Sequence, residues 1–224
     1  MSATLPSLAE KIDPKTTALL VVDVQNDYCH SDGALAQAGS DPTAAQEMLP
    51  NLLLLVDAAR GAGATIIWVR MVRNEHTISE AEREHRNRTR PSTTAKVCRE
   101  GSWGGEFYRV EPEAGEPIVS KHRYSGFVNT DLDLLLRSRG IKTVIKCGVA
   151  TNVCVESTAR DAYMRDYHVV FVDDCSAAYD PALHAATLRN MTEHFGQVVQ
   201  SAVIFEAWGS EPAIRDSARA RGRA

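Results

Sequence analysis

The sequence predicts an α/β fold: a three-layer, doubly wound, mostly parallel six-stranded sheet with helices on both faces. Three observations support this fold class. Short apolar, β-branched runs have the composition of strands that are buried on both faces. Segments with apolar residues at helical spacing alternate with these runs, and glycine or polar turns lie between them. Such alternation favours right-handed crossovers, and ligands of such sheets bind at the carboxyl ends of the strands.

The first part of the chain predicts two strands and one long helix. The apolar run Thr17–Val24 predicts the first strand, with Asp23 near its carboxyl end. Within Pro42–Arg60 apolar side chains recur at helical spacing, and the Gly-Ala-Gly that follows ends the helix. The β-branched run Thr65–Val72 then predicts the second strand.

The second part of the chain continues the alternation. The predicted strands are Pro117–Ser120, Thr143–Cys147, His168–Val172 and Gln197–Ala202. The predicted helices are Asp131–Arg139, Asn152–Arg165 and Pro181–His194. Because the chain length suits one core, we predict a single domain over residues 1–224, with a polar C-terminal tail from about residue 209.

One stretch, Arg73–Gly115, interrupts the alternation. It contains the charge-rich segment Glu80–Arg90 and the glycine-rich segment Gly101–Gly105, which are too polar for a core layer. We interpret the stretch as an excursion beside the binding site. The alternative is a solvated surface helix over Glu80–Arg90 followed by a loop, because its mixed charges form no basic stripe.

Composition narrows the class of partner. The net charge of -4 provides no basic field for nucleic acid. No apolar run is long enough to span a bilayer, and the first residues lack the apolar core of a signal peptide. The five cysteines have no CxxC spacing, which argues against a zinc site or a disulfide framework. We therefore expect a cytoplasmic protein with reduced thiols and a small-molecule ligand, without a membrane or nucleic-acid partner.

Three reactive side chains lie near predicted strand ends. Asp23 interrupts an apolar strand, where a buried carboxylate needs a partner. Lys121 directly follows the strand Pro117–Ser120 and reaches the same edge of the sheet. Cys154 begins the helix after the strand Thr143–Cys147, where the helix dipole and a nearby lysine predict a lowered thiol pKa. Together they form a candidate catalytic constellation.

Each of these residues also has a purely structural interpretation. Asp23 alone would suit a cap of the turn that follows it. Lys121 alone would suit a lysine that emerges into solvent, and most cysteines are buried and inert. Chance places three such groups at one sheet edge less readily than any pair, so the catalytic interpretation is preferred for the set.

Three segments carry a family resemblance: Leu19–Asp27, Lys121–Phe127 and, most specifically, Gly148–Ala162. In them the chain resembles the isochorismatase-like cysteine hydrolases, a group that includes nicotinamidases, carbamoylsarcosine amidohydrolases, biuret hydrolases and ureidoacrylate amidohydrolases. The resemblance spans nearly the whole chain. It implies the isochorismatase-like version of the α/β fold, a homodimer or homotetramer, and no cofactor.

The resemblance also implies catalytic roles. Cys154 would be the nucleophile, Asp23 the base that accepts its proton, and Lys121 the electrostatic support of both. A cis peptide between Val149 and Ala150 would direct the N–H groups of Ala150 and Cys154 toward an oxyanion. The reaction would be cleavage of a C–N bond in a small amide or ureide through a thioester, with release of ammonia or carbamate.

Departures from the family pattern guide the substrate prediction. Nicotinamidases follow their second strand with an Asp and two His residues that hold a metal. The stretch Val69–His76 lacks this set, so we predict no metal. The segment Lys121–Phe127 is most similar to the ureidoacrylate type, although Met71 stands where that type is expected to have a polar Asn.

Candidate substrate-binding residues come from these same segments: Gln25, Arg70, Trp103, Arg123, Tyr124 and Phe127. The arginines and Tyr124 would bind a carboxylate or carbonyl, because guanidinium groups recognise carboxylates bidentately. Trp103 and Phe127 would form apolar walls. The alternative is that the arginines and the tyrosine are surface residues with packed stems.

Two other functions are compatible with the same fold. An isochorismatase-type vinyl ether hydrolase uses an acidic residue and does not need the thiol, so Cys154 argues against it. A non-catalytic binding protein would be indicated by loss of a reactive residue, and all three are present. A dinucleotide-binding protein is excluded, because no glycine fingerprint follows the first strand.

Overall fold

The centre of the molecule is a sheet of six parallel strands. The structure, a computed structural model, describes residues 6–89 and 97–210. The strands are β1 Thr17–Val22, β2 Thr65–Met71, β3 Ile118–Lys121, β4 Thr143–Val149, β5 His168–Ala177 and β6 Gln197–Val199. Their order across the sheet is β3-β2-β1-β4-β5-β6. The predicted α/β class is confirmed, and every pairing in this sheet is parallel.

Helices connect and cover the strands. The α-helices are α1 Leu8–Lys11, α2 Asn26–Cys29, α3 Ala34–Gln37, α4 Thr43–Glu47, α5 Leu49–Ala62, α6 Glu80–Thr89, α7 Leu132–Ser138, α8 Glu156–Tyr163, α9 Pro181–Asn190 and α10 Ser201–Ala207. Short 3₁₀-helices are Pro14–Thr16 and Trp103–Gly105, and π-helical turns are Thr151–Val155 and Met191–Phe195. No helix of the described ranges is long and apolar enough to cross a bilayer.

The strand order reverses between β1 and β4. From β1 the chain passes through α5 to β2 on one side, and from β4 it passes through α8 to β5 on the other. Because such crossovers are right-handed, α5 and α8 cover opposite faces of the sheet. The carboxyl ends of β1 and β4 therefore form the topological switch point, where ligands of open α/β sheets bind.

Gly148 allows the ends of β1 and β4 to lie close together. It pairs with Val22 across the two strands, and its φ is 115°. A Cβ atom added there would lie 2.1 Å from the carbonyl oxygen of Val22. Only glycine suits both this contact and this backbone conformation. Gly148 therefore allows close contact between β1 and β4 directly before the turn that contains Cys154.

The predicted carboxyl-terminal boundary of the strand Gln197–Ala202 is wrong. The strand stops at Val199, and α10 begins at Ser201. The Ser201 N–H donates to Asp174 Oδ1 over 2.8 Å, and its hydroxyl donates to Oδ2 over 2.6 Å. These hydrogen bonds to a neighbouring strand begin the helix, and Ile204 and Phe205 are then buried at helical spacing. The spacing of the apolar residues therefore changes from that of a strand to that of a helix within the predicted segment.

The interruption at residues 73–115 folds against the carboxyl edge of the sheet. It contains α6 and the 3₁₀-helix Trp103–Gly105, while residues 90–96 lie outside the described ranges. The Asp27 carboxylate accepts a 2.6 Å hydrogen bond from the Cys98 N–H, and Gly104 lies directly against that carboxylate. Both earlier interpretations hold in part, because α6 is a largely exposed helix that also borders the cavity described below. Nearly all of the predicted tail from residue 209 lies outside the described ranges.

Candidate active site

Asp23, Lys121 and Cys154 lie in contact at the carboxyl edge of the sheet. Asp23 is the first residue after β1, and its N–H donates to the carbonyl of Val69 over 2.8 Å. Lys121 is the last residue of β3. Its Nζ lies 2.7 Å from Asp23 Oδ2 and 3.3 Å from Cys154 Sγ. One ammonium group therefore contacts both the carboxylate and the sulfur.

The Lys121 ammonium is buried and fully paired. Besides Asp23 and Cys154, it donates to the carbonyl of Arg123 over 3.2 Å. Burial by itself would lower the pKa of Lys121, but the Asp23 carboxylate and the Cys154 sulfur outweigh burial, and the pKa is raised from its ordinary value. Lys121 is therefore a fixed positive charge beside the sulfur rather than a proton donor at neutral pH.

The Asp23 carboxylate uses its two oxygens differently. Oδ2 accepts from Lys121, whereas Oδ1 has no hydrogen-bond partner among the described residues, although it is buried. A buried carboxylate oxygen without a donor is costly. Oδ1 is therefore the atom that can accept a proton from the neighbouring thiol.

Cys154 lies in the π-helical turn that precedes α8. The hydroxyl of Thr158 donates to the Cys154 carbonyl over 2.6 Å and accepts from the Gly126 N–H over 3.0 Å. These bonds join the turn to the loop after β3 that begins at Lys121. Thr158 thereby holds two chain segments that are far apart in the sequence next to each other beside the sulfur.

The prediction of a lowered thiol pKa is wrong for the resting structure. Burial raises the pKa of Cys154 to about 12, and the Asp23 carboxylate adds to this effect, while Lys121 opposes it. Cys154 does precede a helix, but burial and the Asp23 carboxylate raise its pKa by more than Lys121 lowers it. The resting thiol is thus protonated at neutral pH.

Access distinguishes Cys154 from the other thiols. The remaining cysteines, Cys29, Cys98, Cys147 and Cys175, are also free and buried, and burial raises the pKa of each. Among the five, Cys154 is the one that lines the cavity at the switch point. Access to the cavity, and not an unusually acidic resting thiol, therefore distinguishes Cys154 from the other cysteines.

The turn before Cys154 is held by a chain of hydrogen bonds. The peptide bond between Val149 and Ala150 is cis. Thr151 Oγ1 lies 2.9 Å from His184 Nδ1, and His184 Nε2 lies 2.8 Å from Asp173 Oδ1. Thr151 is fully buried, so this chain connects the turn to β5 and α9.

A cavity of about 830 Å³ opens onto Cys154. Ala150, Asn152 and Ser157 lie on the same wall as the cysteine, and α6 contributes to the rim. The described residues that line it are Tyr28, Leu35, Gly39, Ser40, Asp41, Arg73, His85, Arg86, Thr89, Val97, Tyr124, Ala150, Asn152, Val153, Cys154, Ser157, Tyr179, Asp180 and Leu183. Its size suits a small organic ligand.

Comparison with known proteins identifies the family. Residues 17–203 match the family described as Isochorismatase domain. The chain belongs to the isochorismatase family. A ureidoacrylate amidohydrolase RutB from Methylorubrum extorquens is 37% identical over 96% of this chain and 92% of its own length. The family prediction is confirmed.

Solved structures of isochorismatase-family proteins share this fold. A cysteine hydrolase from Pseudomonas syringae pv. phaseolicola superposes with a TM-score of 0.80 at 29% identity, covering 93% of this chain and 99% of that one. An N-carbamoylsarcosine amidase from Thermoplasma acidophilum superposes with a TM-score of 0.68 at 28% identity, covering 83% and 96%. The predicted enzyme class, a hydrolase acting on non-peptide C–N bonds, is confirmed.

Of the predicted substrate-binding residues, Tyr124 lines the cavity of this family member. Gln25 has a structural role instead. It is fully buried and forms hydrogen bonds in both directions with the Met71 backbone, at 2.8 and 3.0 Å, and donates to the Gly105 carbonyl at 2.7 Å. These backbone groups use the hydrogen-bonding capacity of the Gln25 amide. The prediction that Gln25 binds substrate is therefore corrected.

The two predicted arginines lie outside the cavity lining. Arg70 donates through Nε to the Ser120 hydroxyl over 3.1 Å, on a strand where side chains alternate between faces. Arg123 donates to the carbonyl of Thr77 over 3.0 Å and lies 3.3 Å from Glu82. Both guanidinium groups interact with neighbouring chain segments. This agrees with the alternative that the arginines have a structural role.

The two predicted aromatic walls also lie elsewhere. Phe127 is buried, with its ring between Lys146 and Arg165, at 5.4 and 4.9 Å from their cationic groups. Trp103 is 47% exposed and contacts the His30 ring edge-on at 5.1 Å. Neither lines the cavity, because Phe127 packs against the two cationic side chains and Trp103, on the 3₁₀-helix of the excursion, packs against His30.

Arg73 is one of several cavity residues that sequence reasoning missed. It lies beyond the end of β2, at the carboxyl edge, and its side chain is buried against the cavity. The sequence offered one signal for it, because Arg73 directly follows the predicted second strand Thr65–Val72.

The described residues contain no group of three or more His, Cys, Asp or Glu side chains placed to hold a metal ion.

Proposed function

We propose that this amidohydrolase cleaves the C–N bond of a small ureide through a thioester on Cys154, with Asp23 and Lys121 completing a catalytic triad. The observation that carries the proposal is the contact of one buried ammonium with both a carboxylate and a sulfur on the wall of a ligand-sized cavity. Nucleophile, base and fixed cation within reach of one ligand are the parts that covalent acyl transfer needs.

The first step is proton transfer from the Cys154 thiol to Asp23 Oδ1. The thiol pKa of about 12 means that the proton must leave as attack begins. Oδ1 is the acceptor without another partner among the described residues, and Lys121 stabilises the thiolate that forms. The thiolate then bonds to the ureide carbonyl carbon, and the carbonyl π electrons move to oxygen.

The developing oxyanion is assigned to the N–H groups of Ala150 and Cys154, both on the cavity wall. Collapse of the tetrahedral intermediate breaks the C–N bond. The proton held by Asp23 passes to the leaving nitrogen, so that ammonia or an amine departs. The intermediate on Cys154 is then an S-carbamoyl thioester. Asp23 takes a proton from water and hydroxide adds to the carbonyl carbon of this intermediate. The C–S bond breaks, Asp23 returns the proton to the Cys154 sulfur, and a carbamate leaves.

The substrate class follows from relatives and from the cavity. The names of two relatives specify ureidoacrylate and N-carbamoylsarcosine, each of which contains a carbamoyl nitrogen and a carboxylate. The cavity of about 830 Å³ has room for such a ureido acid and is lined by charged residues of both signs. We assign a small ureido acid, with release of ammonia or carbamate.

The deciding experiment is a substrate panel assayed for ammonia release, with an acyl-enzyme trap. Wild-type protein should release ammonia from ureido acids, and quenched mixtures should show the acyl mass on the Cys154 peptide. Cys154→Ala should abolish both signals. Cys175→Ala is the matched control, because Cys175 is buried away from the cavity lining, and it should retain activity.

The rival functions predict other outcomes. A vinyl ether hydrolase would cleave isochorismate and remain active in Cys154→Ala. A binding protein would show saturable ligand binding without turnover. Either result, with no ammonia from any member of the panel, would refute the proposed function.

We further propose one domain over residues 1–224, working in the cytoplasm as a homodimer or homotetramer. Five free, buried thiols suit a reducing compartment. Exposed apolar side chains, among them Leu134 at 67% and Met164 at 65%, would suit an interface between copies. Light scattering coupled to size exclusion measures the oligomeric state, and a monomer at all concentrations would contradict this part.

A further inference from the structure

The backbone of Arg73 is fixed by the excursion. Its N–H donates to the Cys98 carbonyl and its carbonyl accepts from the Glu100 N–H, at 2.9 and 3.0 Å. This short parallel bridge holds the residue at the edge of the sheet, two residues beyond β2. The side chain is only 7% exposed and lines the cavity that contains Cys154. The guanidinium group is therefore positioned before any ligand binds.

The Arg73 guanidinium is poorly satisfied within the described chain. Its Nε is buried and has no hydrogen-bond partner among the described residues. Nη1 makes one long contact of 3.4 Å with the Val97 carbonyl, and the nearest carboxylate oxygen, on Glu82, lies 3.8 Å from Nε. That distance permits charge attraction but not a hydrogen bond.

The Glu82 carboxylate is not available to Arg73 exclusively. The same carboxylate lies 3.1 Å from Arg86 Nε and 3.3 Å from Arg123 Nη1, closer than to Arg73. One negative charge is thus shared by three guanidinium groups. A buried cation with incomplete pairing is costly unless a ligand supplies the missing acceptors.

We propose that Arg73 binds the carboxylate of a ureido acid substrate and determines the preference for charged over neutral ureides. This inference rests on the proposed function and adds the anchoring residue. A carboxylate has two acceptor oxygens in one plane, which match the planar donors of a guanidinium group. With the carboxylate at Arg73 and the carbamoyl group at Cys154, one ligand spans two walls of the same cavity.

The other cationic side chains near the site are less suitable anchors. Arg70 and Arg123 have neighbours of their own and lie outside the cavity lining. Arg86 and His85 line the cavity from α6, but His85 is exposed and the Arg86 guanidinium is ion-paired to Glu82, with Nε 3.1 Å from the carboxylate. Arg73 combines burial, a rigid backbone and an unsatisfied donor.

The test compares two matched ureides, 3-ureidopropionate and its neutral amide 3-ureidopropionamide, in wild type and Arg73→Gln. Arg73→Gln should lower kcat/KM for 3-ureidopropionate by roughly 10- to 100-fold, the range for loss of hydrogen bonds to a charged group. The loss should appear mainly in KM, and the rate on the amide should be unchanged. Arg70→Gln is the matched control and should leave both substrates unaffected.

A second measurement separates this inference from the proposed function. In a Cys154→Ala background, 3-ureidopropionate should raise the Tm, and adding Arg73→Gln should remove that shift whether or not hydrolysis occurs. An unchanged preference in folded Arg73→Gln would overturn the inference while leaving the amidohydrolase assignment intact. If Arg73→Gln does not fold, Arg73→Lys replaces it. Equal loss on both ureides by the lysine variant would also overturn the inference, because it would indicate a structural role.

Discussion

Replacing Lys146 with methionine should stabilise the protein. Lys146 is a fully buried residue of β4, and its Nζ has no hydrogen-bond partner among the described residues. The nearest compensation is the face of the Phe127 ring, 5.4 Å from Nζ to the ring centre. Methionine fills a similar volume without a polar end. The lysine is therefore a cost to folding that an apolar side chain removes.

The magnitude follows from the price of one unsatisfied buried group. Such a group costs about 1–3 kcal/mol, which Lys146→Met should recover as free energy of unfolding. For a chain of this size, that gain corresponds to a rise in Tm of roughly 2–12 °C. Lys142→Met is the matched control, since Lys142 is exposed just before the same strand, and it should change stability by less than about 0.5 kcal/mol.

The pH dependence gives an independent check. Burial lowers the pKa of Lys146 well below its ordinary value, and Asp161 and Cys147 only partly offset this. From the folded-state pKa up to the unfolded value of about 10.4, the unfolded chain binds a proton that the folded chain does not. Wild-type stability therefore rises with pH across that window. The advantage of methionine should be largest below it and shrink toward its upper end.

Denaturant unfolding followed by circular dichroism, near neutral pH and at about pH 10, measures both effects. A destabilised Lys146→Met protein, or a stability difference independent of pH, would refute the reasoning. The first outcome would mean that the ammonium makes a favourable interaction in the folded state. The second would mean that Lys146 has the same pKa in the folded and unfolded states.

Three further predictions concern catalysis. Asp23→Asn removes the proposed base for the Cys154 proton, so ammonia release should be lost and iodoacetamide should alkylate the thiol more slowly; alkylation at the wild-type rate would contradict this role. His184→Ala should lower kcat by roughly 2- to 10-fold, because Thr151 loses a hydrogen bond near the oxyanion hole, whereas exposed His194→Ala should have no effect; equal loss in both variants would exclude this role. Exhaustive chelation should leave activity unchanged, and restoration of a lost rate by zinc would overturn this expectation.

The close approach of Asp23, Lys121 and Cys154 could be predicted because the position of each depends on a local pattern with a clear consequence. An apolar parallel strand must end at one edge of the sheet, so Asp23 and Lys121 reach the same edge whatever the intervening loops do. The turn before Cys154 is constrained in the same way by Gly148 and the strand pairing. These inferences need only strand direction and order.

The cavity lining could not be predicted, because it depends on how the excursion packs. Arg70 and Arg73 both lie near the end of β2, and their local sequence does not separate them. Contacts between distant segments do so, since the Cys98 and Glu100 backbones hold Arg73 against the cavity while Ser120 pairs with Arg70. The thiol pKa has the same origin, since burial is a tertiary property and a helix start is a local one.

The burial of Cys154, the proposed nucleophile, also bears on how the enzyme withstands oxidants. Peroxides react with thiolates, and the Cys154 thiol, with a pKa of about 12, is protonated in the resting state. The other four cysteines are buried as well and lie off the cavity lining. In the proposed mechanism, sulfenic acid formation becomes possible when Asp23 removes the proton, and at that moment a substrate occupies the cavity beside the sulfur. Oxidative inactivation of this protein should then be governed by cavity occupancy and not by its number of thiols.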